Sequence, residues 1–169
     1  NQPSDLKGLK IRTQDSPTSI AMIRAMGGSA TPMSSGETYT GLQQGTIEAQ
    51  DNSAEQTYLA KFYEVQKYLS LTGHTYAAEP VLISTIAWKK LSPEQQRIVR
   101  KAAEDTRDWQ RQLCRDLEGK FLKTIQDSGK CRVNEDVDKE AFAKATRGVW
   151  DIYTKRFGDD NIKAVLAVK

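Results

Sequence analysis

Arg12 is the side chain in this sequence best suited to holding a small anion. It closes the alternating stretch Leu9-Lys10-Ile11-Arg12, and Ser16-Pro17 follows with the form of a helix N-cap and a proline at the first helical position. A guanidinium grips a carboxylate in a bidentate manner, and a helix start adds free N–H groups and a favourable dipole. The same residues also fit a surface arginine beside an ordinary helix start. Two further polar junctions come later in the chain, the turn Met33–Ser35 and Asn52. Asn52 reads equally as a plain helix cap.

Catalytic chemistry is harder to find. Gly27-Gly28 and Gly36 have the wrong spacing for a phosphate-binding glycine loop, and there is no Gly-x-Ser-x-Gly elbow. His74 is the single histidine and has no partner evident in the sequence, so it reads as structural. Cys114 and Cys131 lack metal-ligand spacing, which speaks against a zinc site or a thiol–imidazole catalyst. They could form one disulfide or remain as buried thiols. Glu104-Asp105 and Asp159-Asp160 read as surface charge. We expect no cofactor, no metal and no enzyme; the residues support binding.

The elements that must position these groups follow from periodicity. Helical spacing at Ile20, Met22, Ile23 and Met26 ends at Gly27-Gly28, and Ala30–Met33 reads as a short strand. Ser34 and Glu37 form a capping box ahead of a helix that stops at Gly45. Thr46–Gln50 has weak strand character, and Asn52-Ser53-Ala54-Glu55 predicts a second box, capped by Asn52, opening a helix through Tyr58, Leu59, Phe62 and Val65. Strands alternating with helices predict α/β with parallel strands, whose ligands sit off the carboxyl ends. Arg12, Met33–Ser35 and Asn52 all fall at such ends. Tyr68–Leu71 and Pro80–Ile86 read as further extended segments. Ser92-Pro93-Glu94-Gln95 caps a helix expected to run to Ser128-Gly129, about 50 Å at ~1.5 Å per residue. Cys131–Val133 predicts a last strand and Lys139–Phe157 a last helix, while Ile162–Val168 has no clear assignment.

With 169 residues, 38% apolar and 28% charged, the chain can build one sizeable core or two small lobes. The net charge of +3 is mild and the signs are interleaved, unlike the concentrated basic footprint of a nucleic-acid binder. No apolar run is long enough for a membrane span. Asn-Gln-Pro-Ser-Asp has neither the basic start nor the apolar core of a signal peptide, so an exported form would already have lost its targeting segment.

In order and spacing, the chain resembles the solute-binding subunit of a tripartite ATP-independent periplasmic (TRAP) transporter, the DctP type. The residues that carry the resemblance are Asp5–Arg12, Thr31-Pro32-Met33, Leu42-Gln43-Gln44-Gly45, Gln50-Asp51-Asn52, Lys61–Leu69, Thr72-Gly73-His74 and Leu91–Glu94. The resemblance implies an α/β, periplasmic-binding-protein-like (type II) lobe with a parallel-rich sheet flanked by helices and one very long helix, the amino-terminal lobe being largely missing. It implies three parts: 1–77, a second-lobe ligand-binding region; 78–127, a crossover strand and lobe-spanning helix; 128–169, a carboxyl-terminal strand and helices.

It also implies periplasmic binding of a small organic acid, delivered to membrane permease subunits. The family's carboxylate-gripping arginine falls on Arg12 and its asparagine on Asn52; Asp15 and Ser35 complete the candidate ligand contacts. The sequence departs from the family at Ser35, where a bulky aromatic is usual, and at Ser53, where proline is usual. Family members are roughly twice this length, within the range where chains split into two lobes. The Val81–Ile86 segment is then expected to lack neighbours and, with the long helix, to drive homo-oligomerisation. A second reading is an interaction module that keeps the fold without binding solute.

Overall fold

A computed structural model describes residues 1–168. Its first unit follows from strands that alternate with helices. β1 (Lys10–Thr13) lies between β2 (Ser29–Pro32) and β3 (Ala49–Gln50), all parallel, with Arg12 opposite Thr31 on one side and Gln50 on the other. α1 (Pro17–Ala25) joins β1 to β2, and α2 (Thr38–Gln44) joins β2 to β3. The order β2-β1-β3 reverses direction between these two crossovers, and right-handed crossovers then place α1 and α2 on opposite faces of the sheet. This accounts for two separate apolar clusters. One gathers Ile11, Met22, Ile23, Met26 and Phe142; the other gathers Leu42, Ile47 and Phe62.

Local signals end these elements as the residues dictate. Proline opens α1 after Ser16, and Gly45 ends α2 with φ of 72°, a left-handed conformation that favours glycine. Glu37 and Ser34 form their predicted box on a single 3-10 turn (Ser35–Glu37) ahead of α2. The second box is a correction. Ser53 caps α3 (Ala54–Leu59), its hydroxyl accepting from the Gln56 N–H at 3.1 Å, which frees Asn52 from the capping role. α3 is also shorter than its periodicity predicts. Lys61 adopts φ of 57° and a 3-10 turn follows at Phe62–Glu64, turning Phe62 into the core instead of continuing the helix.

β4 (Tyr68–Ser70) pairs in parallel with β5 (Arg132–Asn134), so the expected parallel strands fall into two small sheets. Between them runs α5 (Pro93–Asp127), a continuous helix of 35 residues. Ser92 and Gln95 box its start, and Lys101–Asp105 and Lys123–Asp127 pair one turn apart along it. It packs at its carboxyl end, where Phe121 stacks on Tyr58 with ring centroids 4.9 Å apart and Ile125 is fully buried.

The predicted strand at Pro80–Ile86 does not form. Residues 80–84 pair with nothing, and Ser84 caps a short helix, α4 (Thr85–Lys89). A strand needs a neighbouring edge, and among the described residues none lies beside it. The last predicted helix is also broken. α6 (Lys139–Thr146) gives way to a 3-10 turn at Arg147–Val149 before α7 (Trp150–Phe157), and α8 (Asp160–Leu166) occupies most of the unassigned tail. Both cysteines are free thiols, with Cys131 buried. Among the described residues no helix is long and apolar enough to cross a membrane.

Candidate functional site

The chain leaves β1 toward α1 on one face of the sheet, whereas the chain entering β3 comes from α2 on the other. The carboxyl ends of β1 and β3 therefore flank a switch in direction, where α/β sheets open a crevice for ligands. Arg12 lies on β1 and Gln50, its partner in the register, on β3, one on each side of that switch. Asn52 lies two residues beyond Gln50, past the end of β3, and its side chain meets that of Gln50.

Arg12 is 5% exposed. Its Nε donates to the Met33 carbonyl at 3.0 Å, which fixes the plane of the guanidinium, and among the described residues neither Nη group has a protein partner. Among the described residues no carboxylate pairs with it. Neither Nη is among the fully buried atoms that lack a partner, so both reach solvent and are open to an incoming anion. The Asn52 side chain donates through Nδ2 to Gln50 Oε1, and Gln50 Nε2 donates to Gln66 Oε1 at 3.1 Å. The amide of Asn52 is thus oriented by a chain of two glutamines, and among the described residues its oxygen has no partner.

The other two candidates are less constrained. Asp15 is exposed in the loop between β1 and α1, and Ser35 is exposed in the turn two residues after the Met33 carbonyl that holds Arg12. Arg12 lies in β1 itself, near its carboxyl end, and Asp15, Ser35 and Asn52 lie on the connections that follow β1, β2 and β3; Arg12 is buried and the other three are open to solvent.

His74 has neighbours that the sequence did not reveal. Its Nδ1 lies 2.6 Å from Thr72 Oγ1, and its Nε2 is 3.8 Å from Asp51 Oδ2 with no hydrogen-bond partner. The ring is 14% exposed and bridges the ends of β3 and β4. Gln50 and Gln66 were also missed; the one available signal was the i, i+2 spacing of Gln50 and Asn52 on a strand end. Among the described residues no cluster of three or more His, Cys, Asp or Glu could hold a metal.

A parallel α/β lobe with a buried, unpaired arginine at its switch point has the form of part of a ligand-binding protein. Residues 1–156 match the family model for bacterial extracellular solute-binding proteins, family 7 (DctP), and the chain belongs to that family. It is similar to the 2,3-diketo-L-gulonate-binding periplasmic protein YiaO of Escherichia coli, 40% identical over 96% of this chain and 50% of that protein. Two solved TRAP periplasmic solute-binding proteins are also similar. One, from Polaromonas, is bound to D-erythronate (TM-score 0.90, 36% identity, 99% of this chain and 55% of that one). The other, from Xanthobacter autotrophicus, has bound β-D-galacturonate (TM-score 0.91, 34% identity, 99% and 56%). The chain spans about half the length of these relatives. Family 7 proteins are binding proteins and not enzymes.

Proposed function

We propose that this chain supplies the carboxylate-gripping half of a TRAP-type receptor for a small organic acid of the sugar-acid class. The observation that carries this reading is Arg12: a buried guanidinium, held in plane by the Met33 carbonyl and lacking any carboxylate of its own. A planar fork with two free Nη groups matches a carboxylate bidentately and offsets its desolvation. Asn52 would meet a hydroxyl of the ligand with its free amide oxygen, and Asp15 and Ser35 would accept from or donate to further hydroxyls. Ser35 leaves more space than the family's usual aromatic, which suits a polyhydroxy chain. The acids named for the three relatives, diketogulonate, erythronate and galacturonate, all combine a carboxylate with hydroxyl or carbonyl oxygens.

In this reading the protein works in the periplasm and hands its ligand to membrane permease subunits. Residues 1–77 provide the ligand-binding lobe, 78–127 the crossover and long helix, and 128–169 the carboxyl-terminal support. Homo-oligomerisation belongs to the same reading, because Val81, Leu82 and Ile86 stand exposed. A strictly monomeric mass by light scattering would sink that part of it.

Titration calorimetry with D-erythronate, galacturonate and succinate tests the function. One lobe supplies part of the desolvated site, so binding by this chain alone is expected to be weak or absent, and Arg12→Ala should weaken any binding by at least about 30-fold, the scale of losing one partner of a charge pair. Equal affinity in Arg12→Ala overturns the proposal and leaves the second reading, a fold kept without solute binding.

A further inference from the structure

A side-chain amide has two ends of nearly the same size and opposite chemistry, an oxygen that accepts and an NH2 that donates. A hydrogen-bonded row of amides therefore has a direction, and fixing one end fixes what the other presents. Such a row crosses this molecule. Gln50 Nε2 donates to Gln66 Oε1 at 3.1 Å, and Asn52 Nδ2 donates to Gln50 Oε1. The Asn52 oxygen is the head of the row and the Gln66 NH2 its tail; among the described residues neither has a partner.

The three residues are not held equally. Gln66 stands between two backbone anchors. The Val65 N–H donates to the carbonyl of the fully buried Phe62 at 3.0 Å, and the Lys67 carbonyl accepts from the Arg132 N–H of β5 at 2.9 Å. Gln50 is fixed by its pairing with Arg12 across β3 and β1. Both glutamines are half-buried. Asn52 is exposed, lies past the end of β3 and leaves the capping of α3 to Ser53. Among the described residues its side chain bonds to Gln50 alone.

We propose that Gln66 is a positioning residue of the ligand site. Through Gln50 it sets the polarity of the Asn52 amide, so that the site offers an acceptor oxygen and selects an acid with a hydroxyl over one with a carbonyl at the same place. The selection rests on the reading of Asn52 as a ligand contact. A ligand hydroxyl donates to the Asn52 oxygen. A ligand carbonyl can only accept, which sets two acceptors against each other and leaves both unpaired. The Asn52 amide turns over to suit it only if Gln50 and Gln66 turn over as well.

Position 66 can be given a side chain of one polarity. A carboxylate accepts and cannot donate, whereas an ammonium donates and cannot accept. Gln66→Glu therefore keeps the direction of the row, and Gln66→Lys reverses it and turns the Asn52 NH2 outward. Side-chain amide hydrogen exchange, followed by NMR in isotopically labelled protein, reads this without any ligand. The relay can thus fail while the reading of Asn52 as a contact stands. In the native chain and in Gln66→Glu, one Asn52 Nδ2 proton should exchange about tenfold more slowly than the other, and in the native chain both Gln66 Nε2 protons should be fast. In Gln66→Lys both Asn52 protons should be fast while one Gln50 Nε2 proton stays slow, which a simple loss of structure would not produce. If Gln66→Lys does not fold, Gln66→Met takes its place, and the two Asn52 protons should then exchange within about threefold of each other.

Titration of the same spectra with racemic lactate and with pyruvate reads the selection. These monoanions differ by a hydroxyl against a carbonyl, so a charge at position 66 acts on both alike and cancels in their ratio. Lactate should bind about fivefold more tightly than pyruvate to the native chain and to Gln66→Glu, and the order should reverse in Gln66→Lys. Two fast Asn52 protons beside a slow Gln66 proton in the native chain would show the row running the other way and overturn the proposal. A slow Asn52 proton in Gln66→Lys also overturns it. So does a lactate-to-pyruvate ratio indifferent to position 66, or no shift with either anion at about 100 mM.

Discussion

Around β1, large apolar side chains are covered from both faces of a sheet; along residues 81–109, side chains of the same chemistry stand in solvent. Phe62 is 1% exposed and Ile23 is equally buried, whereas Leu82 is 84% and Trp109 65% exposed. The difference lies in the partner elements and not in the residues. α1 and α6 close over one side of the β1 sheet, and α2 with the Phe62 turn closes over the other. Among the described residues the first two-thirds of α5 buries no side chain; the short α4 touches it through Gln96 and through Arg100, which lies over the Trp88 ring. That stretch of α5 is held by local devices: the Ser92–Gln95 box, the Lys101–Asp105 pair, and Gln96, whose amide donates to the Trp88 and Leu91 carbonyls. Such devices keep a helix helical but bury almost no apolar surface, and exposed ion pairs contribute little. Stability should therefore be concentrated in the β1 region and nearly indifferent to the arm.

The largest effect expected from that contrast is at Phe142, which joins α6 to the β1 cluster. Phe142→Ala should cost about 3–5 kcal/mol in urea unfolding followed by circular dichroism. A loss under ~1 kcal/mol would mean that the cluster does not carry the fold. Gly28 probes the same cluster from the opposite direction. A Cβ there would sit 2.5 Å from Ile11 Cδ1 and 3.1 Å from Ile23 Cγ2, so Gly28→Ala should overpack the core by about 1–3 kcal/mol.

The cysteines sharpen the comparison without any substitution. Burial pushes the Cys131 thiol up, so less of the reactive thiolate is present near neutral pH. Cys114, on the half-covered part of α5, should therefore alkylate about tenfold faster than Cys131, and raising the pH should narrow the gap. Equal rates in native protein would show that the β5 region opens readily. The smallest effect belongs to the arm. Trp109→Ser should change stability by no more than about 0.5 kcal/mol while reducing self-association in light scattering. A loss above ~1 kcal/mol would place a packed neighbour on that face of α5.

Much of the fold could be read directly from the sequence because its signals are local. Ser16-Pro17, the Ser34/Glu37 and Ser92/Gln95 boxes and the stop at Gly45 each act within one helical turn, and each stands where the residues put it. The strand ends that carry Arg12 and Asn52 could be read for the same reason. What could not be read depended on distant parts of the chain. Thr46–Gln50 has weak strand character alone and pairs only because β1 lies beside it, whereas the more apolar Val81–Ile83 forms no strand because it has no such neighbour. His74 finds Asp51, 23 positions earlier in the chain, only when β3 and β4 end side by side. Lys61 breaks the predicted helix because burying Phe62 requires the turn.

Composition and spacing by themselves thus determined the α/β class, the α5 helix with its caps, and the placing of an arginine at a strand end, because periodicity, capping and turn chemistry are properties of neighbouring residues. Only the tertiary structure decided that Arg12 is buried with no carboxylate paired to it among the described residues, that Gln50 and Gln66 orient Asn52, and that the strands divide into two sheets. Those are relations between segments far apart in the chain, and they exist only once the sheet edges and helix faces have met.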